Sequence, residues 1–371
     1  MNPFRYGEVV TGKDFCDRPE LVGRLRLRLE SGRNTAIVGE RRTGKTSLIH
    51  ETARRIRGFR LVHAQLWAVK SIDDLAQRLI DAIISTQHRR SSVVESVARA
   101  LGSLRPRIEL DPHTGHPGVT LAPSQRLSPQ GLQAVFDLIE DMSRRHRLAV
   151  LLDEFQDIRL IEDADALLGA IRDRIQRQKG IAYVFAGSIR HAMEQTFRDP
   201  GSPFFKAVSV LEVESLERKH FRAFLDARFR SGQRHVPDLS YNHIFTLSEE
   251  NPSDVQQLCA AVWDRSEAGE TIGPDQLQRA LDRIFATERK GYEALVRPLT
   301  DIQMRCLRGL ARLGGDKPQS KRFLDGSGIR LAATSRRALN RLVALQLVYD
   351  RDTNYKFFDP FFRQWILARF G

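Results

Sequence analysis

Gly39-Glu40-Arg41-Arg42-Thr43-Gly44-Lys45-Thr46, or GERRTGKT, is the stretch whose reading decides the fold of this chain. Before it stands the short apolar run NTAIV at 34 to 38, and after it comes TSLIHETARRI, whose apolar positions recur at helical spacing. Strand, glycine-rich turn and helix in that order fit G-x-x-x-x-G-K-[ST], the Walker A pattern, in which backbone N–H groups at a helix N-terminus cradle phosphates. Gly39, Glu40, Arg41, Arg42, Thr43, Gly44 and Ser47 then line the cradle, Lys45 reaches the β- and γ-phosphates, and the Thr46 hydroxyl ligates Mg²⁺. The ligand expected is ATP with Mg²⁺.

Working outward, the apolar run LAVLLDEF places Asp153 at the C-terminal end of a strand, the edge at which open α/β sheets bind ligands. Asp153 is the candidate Mg²⁺ partner, through its water shell. Glu154, next to it, is the candidate base that orients and deprotonates an attacking water, which hydrolysis requires and mere nucleotide sensing does not. YVFAGSIR supplies Ser188 at the tip of a further strand, where a polar group would meet the γ-phosphate. Charge developing on that phosphoryl group calls for a cation, so Arg190 and Arg198 are candidates for sensor or finger roles, the competing reading being solvated surface arginines.

The alternation of FRLVHAQLW (Phe59 to Trp67) predicts a strand, and Ser71 caps a predicted helix over SIDDLAQRLIDAII. IEL and GVTL flank the turn-like DPHTGHP, so a hairpin insert is expected within about 105 to 130. A helix from Leu132 to about Arg145 leads to the strand ending at Asp153, and another strand runs from Ile181 to Gly187. Fully apolar strands imply a sheet covered on both faces. Beyond Glu214 the pattern turns helical, with LERKHFRAFLDARFR, SYNHIFTLSEE and SDVQQLCAAVWDRS all amphipathic. From Leu299, three helices and the hairpin LVYDRDTNYKFFDP suggest a winged helix, with Phe357, Phe358, Phe361, Phe362 and Trp365 as core. The expected divisions are a core at 1–213, a helical lid at 214–298 and a winged helix at 299–371.

NPFRYGEVVTGKDFCDRPEL, the glycine-rich loop, LLDEFQDI, FAGSIRHAMEQTF, SPFF and NPSDVQQLCAAVW occur in an order that resembles the archaeal-ATPase family, in the STAND clade of AAA+-like P-loop NTPases. The resemblance spans nearly the whole chain. It implies a five-stranded parallel sheet of order 5-1-4-3-2, a helical lid and a C-terminal winged helix. It also implies that residues before the first strand hold adenine, which puts Phe15, Asp17 and Arg18 near the base; Asp17 and Arg18 read equally well as a helix-capping pair. The family's lid carries Gly-x-Pro near the nucleotide. Here Asn251-Pro252-Ser253 stands in its place, with Asn251 expected to tolerate left-handed geometry and Pro252 to lie by the nucleotide. No repeat period follows Leu299 and no extra module precedes the core, so an effector is expected to be another chain.

Lys and Arg number 59 against 46 Asp and Glu, a net charge of +13, which suggests an anionic partner or an Arg-rich composition. On the helix around Thr334 to Gln346, Leu339, Leu342 and Leu345 suit a core, whereas Arg336, Arg337, Asn340 and Arg341 fall on other faces and are candidates to read double-stranded DNA. Arg351 and Lys356 on the wing are candidate phosphate contacts. A charged helix face that is simply solvated is the competing reading. His113 and His116 with Asp111 have ligand-like spacing but no fourth partner. Cys16, Cys259 and Cys306 form no C-x-x-C pair and read as reduced thiols. No apolar run approaches the ~20 residues of a membrane helix and MNPFRYGEVV lacks a signal-peptide core, so the expected location is the cytoplasm. The leading functional expectation is a slow switch ATPase that self-associates on binding ATP. The alternatives are a DNA-loading or transposition-regulator ATPase and a nucleotide-gated adaptor for a separate effector.

Overall fold

Alternation along five short strands explains why this chain folds around a sheet with two covered faces. In the computed structural model they are β1 (Thr35–Val38), β2 (Phe59–Gln65), β5 (Arg147–Asp153), β6 (Ala182–Gly187) and β7 (Ser209–Glu212). Val62, Val150, Leu152, Tyr183 and Phe185 face one core, while Ile37, Ala149, Leu151, Val184 and Leu211 face another. Period-2 alternation between two apolar layers is what a doubly covered parallel sheet requires. The structure describes residues 1–16, 18–86, 104–110, 117–123, 129–188, 190–351 and 354–371.

All five strands are parallel, in the spatial order β2-β5-β6-β1-β7. Counting only these five in chain order, that is 5-1-4-3-2, as the resemblance implied. The helices α1 (Pro19–Glu30) and α2 (Lys45–Arg54) supply Val22, Leu25, Leu48 and Ile49 to one layer. On the other face lie α3 (Ile72–Ser85), α4 (Pro129–Ser143) and α5 (Ala164–Arg177), which supply Leu79, Phe136 and Ile171. Ser71 caps α3 as its sequence predicts, its side chain accepting from the Asp74 N–H. A short helix α6 (Arg190–Phe197) leaves β6. The hairpin insert is present as β3 (Leu104–Leu110) and β4 (Pro117–Pro123), paired antiparallel. Its turn, with Asp111, His113 and His116, lies outside the described residues, as does Asp17.

The chain divides into two units, one of Val9–Glu214 and the other of Met1–Glu8 with Ser215–Gly371. The second holds α7 (Arg218–Ser231), α8 (Asp238–Leu247), α9 (Pro252–Asp264) and α10 (Pro274–Val296). It continues through α11 (Asp301–Leu313), α12 (Lys321–Ser327), α13 (Ala332–Ala344), the hairpin β8 (Val348–Arg351) and β9 (Asn354–Phe357), and α14 (Pro360–Phe370). Phe357, Phe361, Phe362 and Trp365 are buried, as the sequence reading expected of them. The first eight residues group with this unit and not with the 1–213 core assigned from sequence. The reason is packing: the Phe4 ring centroid lies 4.7 Å from Phe229, and Asn2 donates to the Ala260 carbonyl at 3.0 Å.

At the 251–253 turn the geometry expected of Asn251 is not adopted. Asn251 is extended at φ −73 and caps α9, accepting from the Ser253 N–H, with Pro252 buried at the first turn. The left-handed residues are Glu249 and Glu250, at φ 47 and 58. Capping by the Asn side chain requires extended backbone, so the turn's strain moves upstream. No described helix is long and apolar enough to cross a membrane.

Candidate phosphate-binding and hydrolytic site

The site forms at the edge where the strands end, because β1, β5 and β6 are neighbours there and each is followed by a polar turn. Leaving β1, the chain turns sharply: Arg42 and Gly44 both adopt left-handed backbone, at φ 62 and 88. Gly44 caps α2, so Lys45 and Thr46 open the helix. A Cβ on Gly39 would run into the Val213 carbonyl, whose own N–H donates to the Val38 carbonyl at 2.8 Å. Only glycine fits there.

Lys45 is buried and donates to the Gly39 and Glu40 carbonyls at 2.9 and 2.7 Å. Burial lowers its pKa to about 8, against the pull of Glu154 and Asp153. Thr43 is buried and bonds the Glu40 carbonyl, and Ser47 accepts from the Val10 N–H, so both brace the loop from within. Arg41 stacks over the half-exposed Trp67 ring at 4.6 Å from its centroid.

Thr46 Oγ1 donates to Asp153 Oδ2 at 2.7 Å, which joins the two predicted metal partners across 107 residues of chain. A hydroxyl and a carboxylate oxygen so placed are hard donors suited to Mg²⁺. Glu154 follows in left-handed backbone at φ 54. Its Oε2 accepts from Ser188 Oγ at 2.8 Å and from Gln156 Nε2 at 2.6 Å. The structure therefore brings together Lys45, Thr46, Asp153, Glu154 and Ser188 as the sequence reading grouped them. Burial alone would raise the Asp153 carboxyl, but the proximity of His63 and the Thr46 hydrogen bond outweigh it and hold the group below the usual carboxylate range.

Other predicted residues sit elsewhere. Phe15 is buried in the layer under α1 and α2, with Val22 and Leu25. Arg18 donates from Nη1 to the Glu214 carbonyl at 2.9 Å and from Nη2 to the Thr43 carbonyl at 2.8 Å, so it ties the glycine-rich loop to the end of this unit. Burial lowers its pKa to about 10. Arg198 pairs with Glu212 at 2.7 Å and Glu194 at 3.5 Å. Arg190 opens α6, and its side chain lies outside the described part.

Sequence reading missed three contributors. His63 Nε2 lies 3.5 Å from Asp153 Oδ2, and its Nδ1 lies 3.0 Å from His50 Nε2, one nitrogen of that pair donating and the other accepting. Burial, with His63 as a second cause, pushes His50 down to about 4, so it is neutral at neutral pH. Gln156 is the third, bonded to both Glu154 and Asp157. No local motif marks the histidines, since α2 and β2 bring them together. Gln156 stands two residues after a recognised glutamate, which is the one usable signal.

Comparison with known proteins bears on the domains and the fold. Residues 28–194 match the model of an AAA domain, and residues 290–368 that of a probable winged helix domain. No curated protein matches the chain. Among solved structures, the Walker-type ATPase PABY2304 of Pyrococcus abyssi is similar with a TM-score of 0.66 and 19% identity, over 98% of this chain and 99% of that one. The Aeropyrum pernix ORC2 protein, in ADPNP–ADP complexes, is similar with a TM-score of 0.52 and 16% identity, over 95% and 93%. At these identities the likeness is one of fold.

Proposed function

We propose that the chain is an ATPase of the AAA+-like P-loop class with a C-terminal winged helix, and that it works as a nucleotide-driven switch. The observation that carries the reading is the Thr46–Asp153 hydrogen bond of 2.7 Å, with Glu154 held beside it. Thr46 and Asp153 would hold Mg²⁺, which when bound neutralises charge on the β- and γ-phosphate oxygens. Lys45 exchanges its two carbonyl partners for those oxygens. Ser188 and Gln156 fix Oε2 of Glu154, so Oε1 is the oxygen through which the base takes the proton of an attacking water. Arg190 and Arg198 remain the candidate cations for the γ-phosphate, and Phe15 and Arg18 the candidates near adenine. Arg18 supports a switch in another way, because it bonds both the loop's Thr43 and Glu214, the last residue before the chain leaves this unit. Phosphate binding that moves Thr43 moves that exit, and self-association would follow the new arrangement.

In a test by ATP turnover and by mass with and without ATP, Lys45→Ala loses nucleotide binding. Glu154→Gln keeps it while kcat falls by roughly 10²–10⁴. Unchanged turnover in both variants would falsify the site. Tight ATP retention with negligible turnover by the unaltered protein would favour a nucleotide-gated adaptor for a separate effector.

A second reading, a DNA-binding ATPase, is favoured by α13: Arg336, Arg337, Asn340 and Arg341 are all exposed while Ala338, Leu339 and Leu342 are buried. Lys356 on β9 is half-buried and would take a phosphate. Loss of duplex binding in Arg337→Ser/Arg341→Ser, with ATP turnover intact, is the expected outcome; unaltered binding would sink it.

A further inference from the structure

A second surface on the ATPase unit lies where the five parallel strands begin, opposite the phosphate site. Because the sheet is wholly parallel, every strand entry comes to one edge. Arg33 precedes β1, Arg57 precedes β2, Arg145 and Arg147 stand at the start of β5, Lys179 precedes β6 and Lys206 precedes β7. All six are exposed, and none forms an ion pair among the described residues. The linkers 31–34, 55–58, 144–146 and 178–181 contain no Asp or Glu at all.

Four helices, α1, α2, α4 and α5, end at this edge, and a helix C-terminus attracts a cation. That effect fades beyond the last turn, where Arg28, Arg54 and Arg177 already stand. The six entry cations are left without an anionic partner among the described residues, although Lys206 lies over the Phe205 ring at 5.2 Å from its centroid. Arg28 shows the strain of the arrangement: its Nη1 is buried without a hydrogen-bond partner, and after burial the neighbouring charges of Arg24 and Arg33 are what lower its pKa. Like charges held together in the absence of an anion cost free energy that an anion would recover.

We propose that this strand-entry edge is a docking surface for the phosphate backbone of duplex DNA. Strands are spaced about 4.8 Å apart, so a five-strand edge offers a track of roughly 19 Å, about six base-pair rises. A rigid track suits a stiff duplex. A single strand is excluded as the preferred ligand because it needs aromatic stacking platforms, and among the described residues of this unit the exposed large aromatic, Trp67, follows the end of β2 at the opposite edge. With no side chain among the described residues of the linkers arranged to enter a groove, binding here is independent of base sequence. The surface belongs to the Val9–Glu214 unit and does not depend on α13 or on the nucleotide reading.

The test is fluorescence anisotropy of a labelled random-sequence duplex with the full chain, titrated against KCl. The arms are the unaltered protein, Arg145→Gln/Arg147→Gln/Lys179→Gln, and Arg337→Ser/Arg341→Ser. Removing three phosphate contacts lowers the salt slope by about 2.7 and the affinity at 0.1 M salt by on the order of 10²-fold. Retained ATP binding in the edge variant shows that it is folded. The proposal is overturned if the edge variant binds duplex with the slope and affinity of the unaltered protein, if no duplex binds at low salt, or if a single strand or anionic vesicles bind more tightly. If the α13 variant alone loses binding, the winged helix is the contact and the edge is not.

Discussion

Where the strands of the sheet end, Glu154, Asp153 and Glu40 lie around one buried lysine, Lys45; where they begin, arginine and lysine stand at every entry. The ending edge is organised by specific bonds, Thr46 to Asp153 and Ser188 to Glu154, so each side chain there has an assignment. The beginning edge has charge without such bonds. A site with fixed partners suits chemistry on one small anion, and a row of unpaired cations suits an extended one.

Substitutions at four positions separate the two edges, in falling order of effect. Gly39→Ala forces its Cβ against the Val213 carbonyl, and overpacking of this kind costs about 3 kcal/mol, so ATP affinity falls by roughly 100-fold in a nucleotide titration while duplex binding stays. Glu51→Gln acts toward the other edge. Glu51 is fully buried, bonded to Arg54, Arg55 and the Gly12 N–H, and these hold its carboxyl at about 2. Its loss costs about 2 kcal/mol, read as a lower Tm, and frees two arginines, which raises duplex affinity. Because this carboxyl is depressed in the folded chain, its contribution is complete above its ordinary 4.5 and disappears as pH falls toward about 2; the variant lacks that part of the acid limb.

His63→Leu removes the ring beside Asp153 and raises the Mg²⁺ concentration that half-saturates ATP binding by about tenfold, while His63→Gln, which keeps a donor, restores it. Arg33→Gln is the mildest, lowering duplex affinity several-fold at low salt with no change in ATP turnover.

The residues legible in sequence were those whose chemistry is local. GERRTGKT, LLDEF and FAGS each carry their own strand end, so Lys45, Thr46, Asp153, Glu154 and Ser188 could be named together before any geometry was known. His50 and His63 could not, because their meeting depends on α2 crossing β2 beside β5, where His63 pairs in register with Leu151. Arg18 was placed near the adenine base or in a helix cap, and its bonds to the Thr43 and Glu214 carbonyls are tertiary and carry no local signal. The long α10, with TERKG exposed at 287–291, escaped because its apolar face thins between Ile284 and Tyr292. The same physics hid the beginning edge: its cations are scattered over 170 residues of sequence and become a row only once the strands run parallel.

The grouping of Met1–Glu8 with Ser215–Gly371 makes Val9–Glu214 an insertion within the other unit. On a ribosome the ATPase unit is complete before the partners of Phe4 have been translated. Arg228 reaches the Pro3 carbonyl across 225 residues, and Asn2 reaches Ala260 across 258. Closing so long a loop is cheap only once the intervening chain is compact. Docking of the N-terminal segment is thus a late event of biosynthesis, and it staples the finished polypeptide across the insertion.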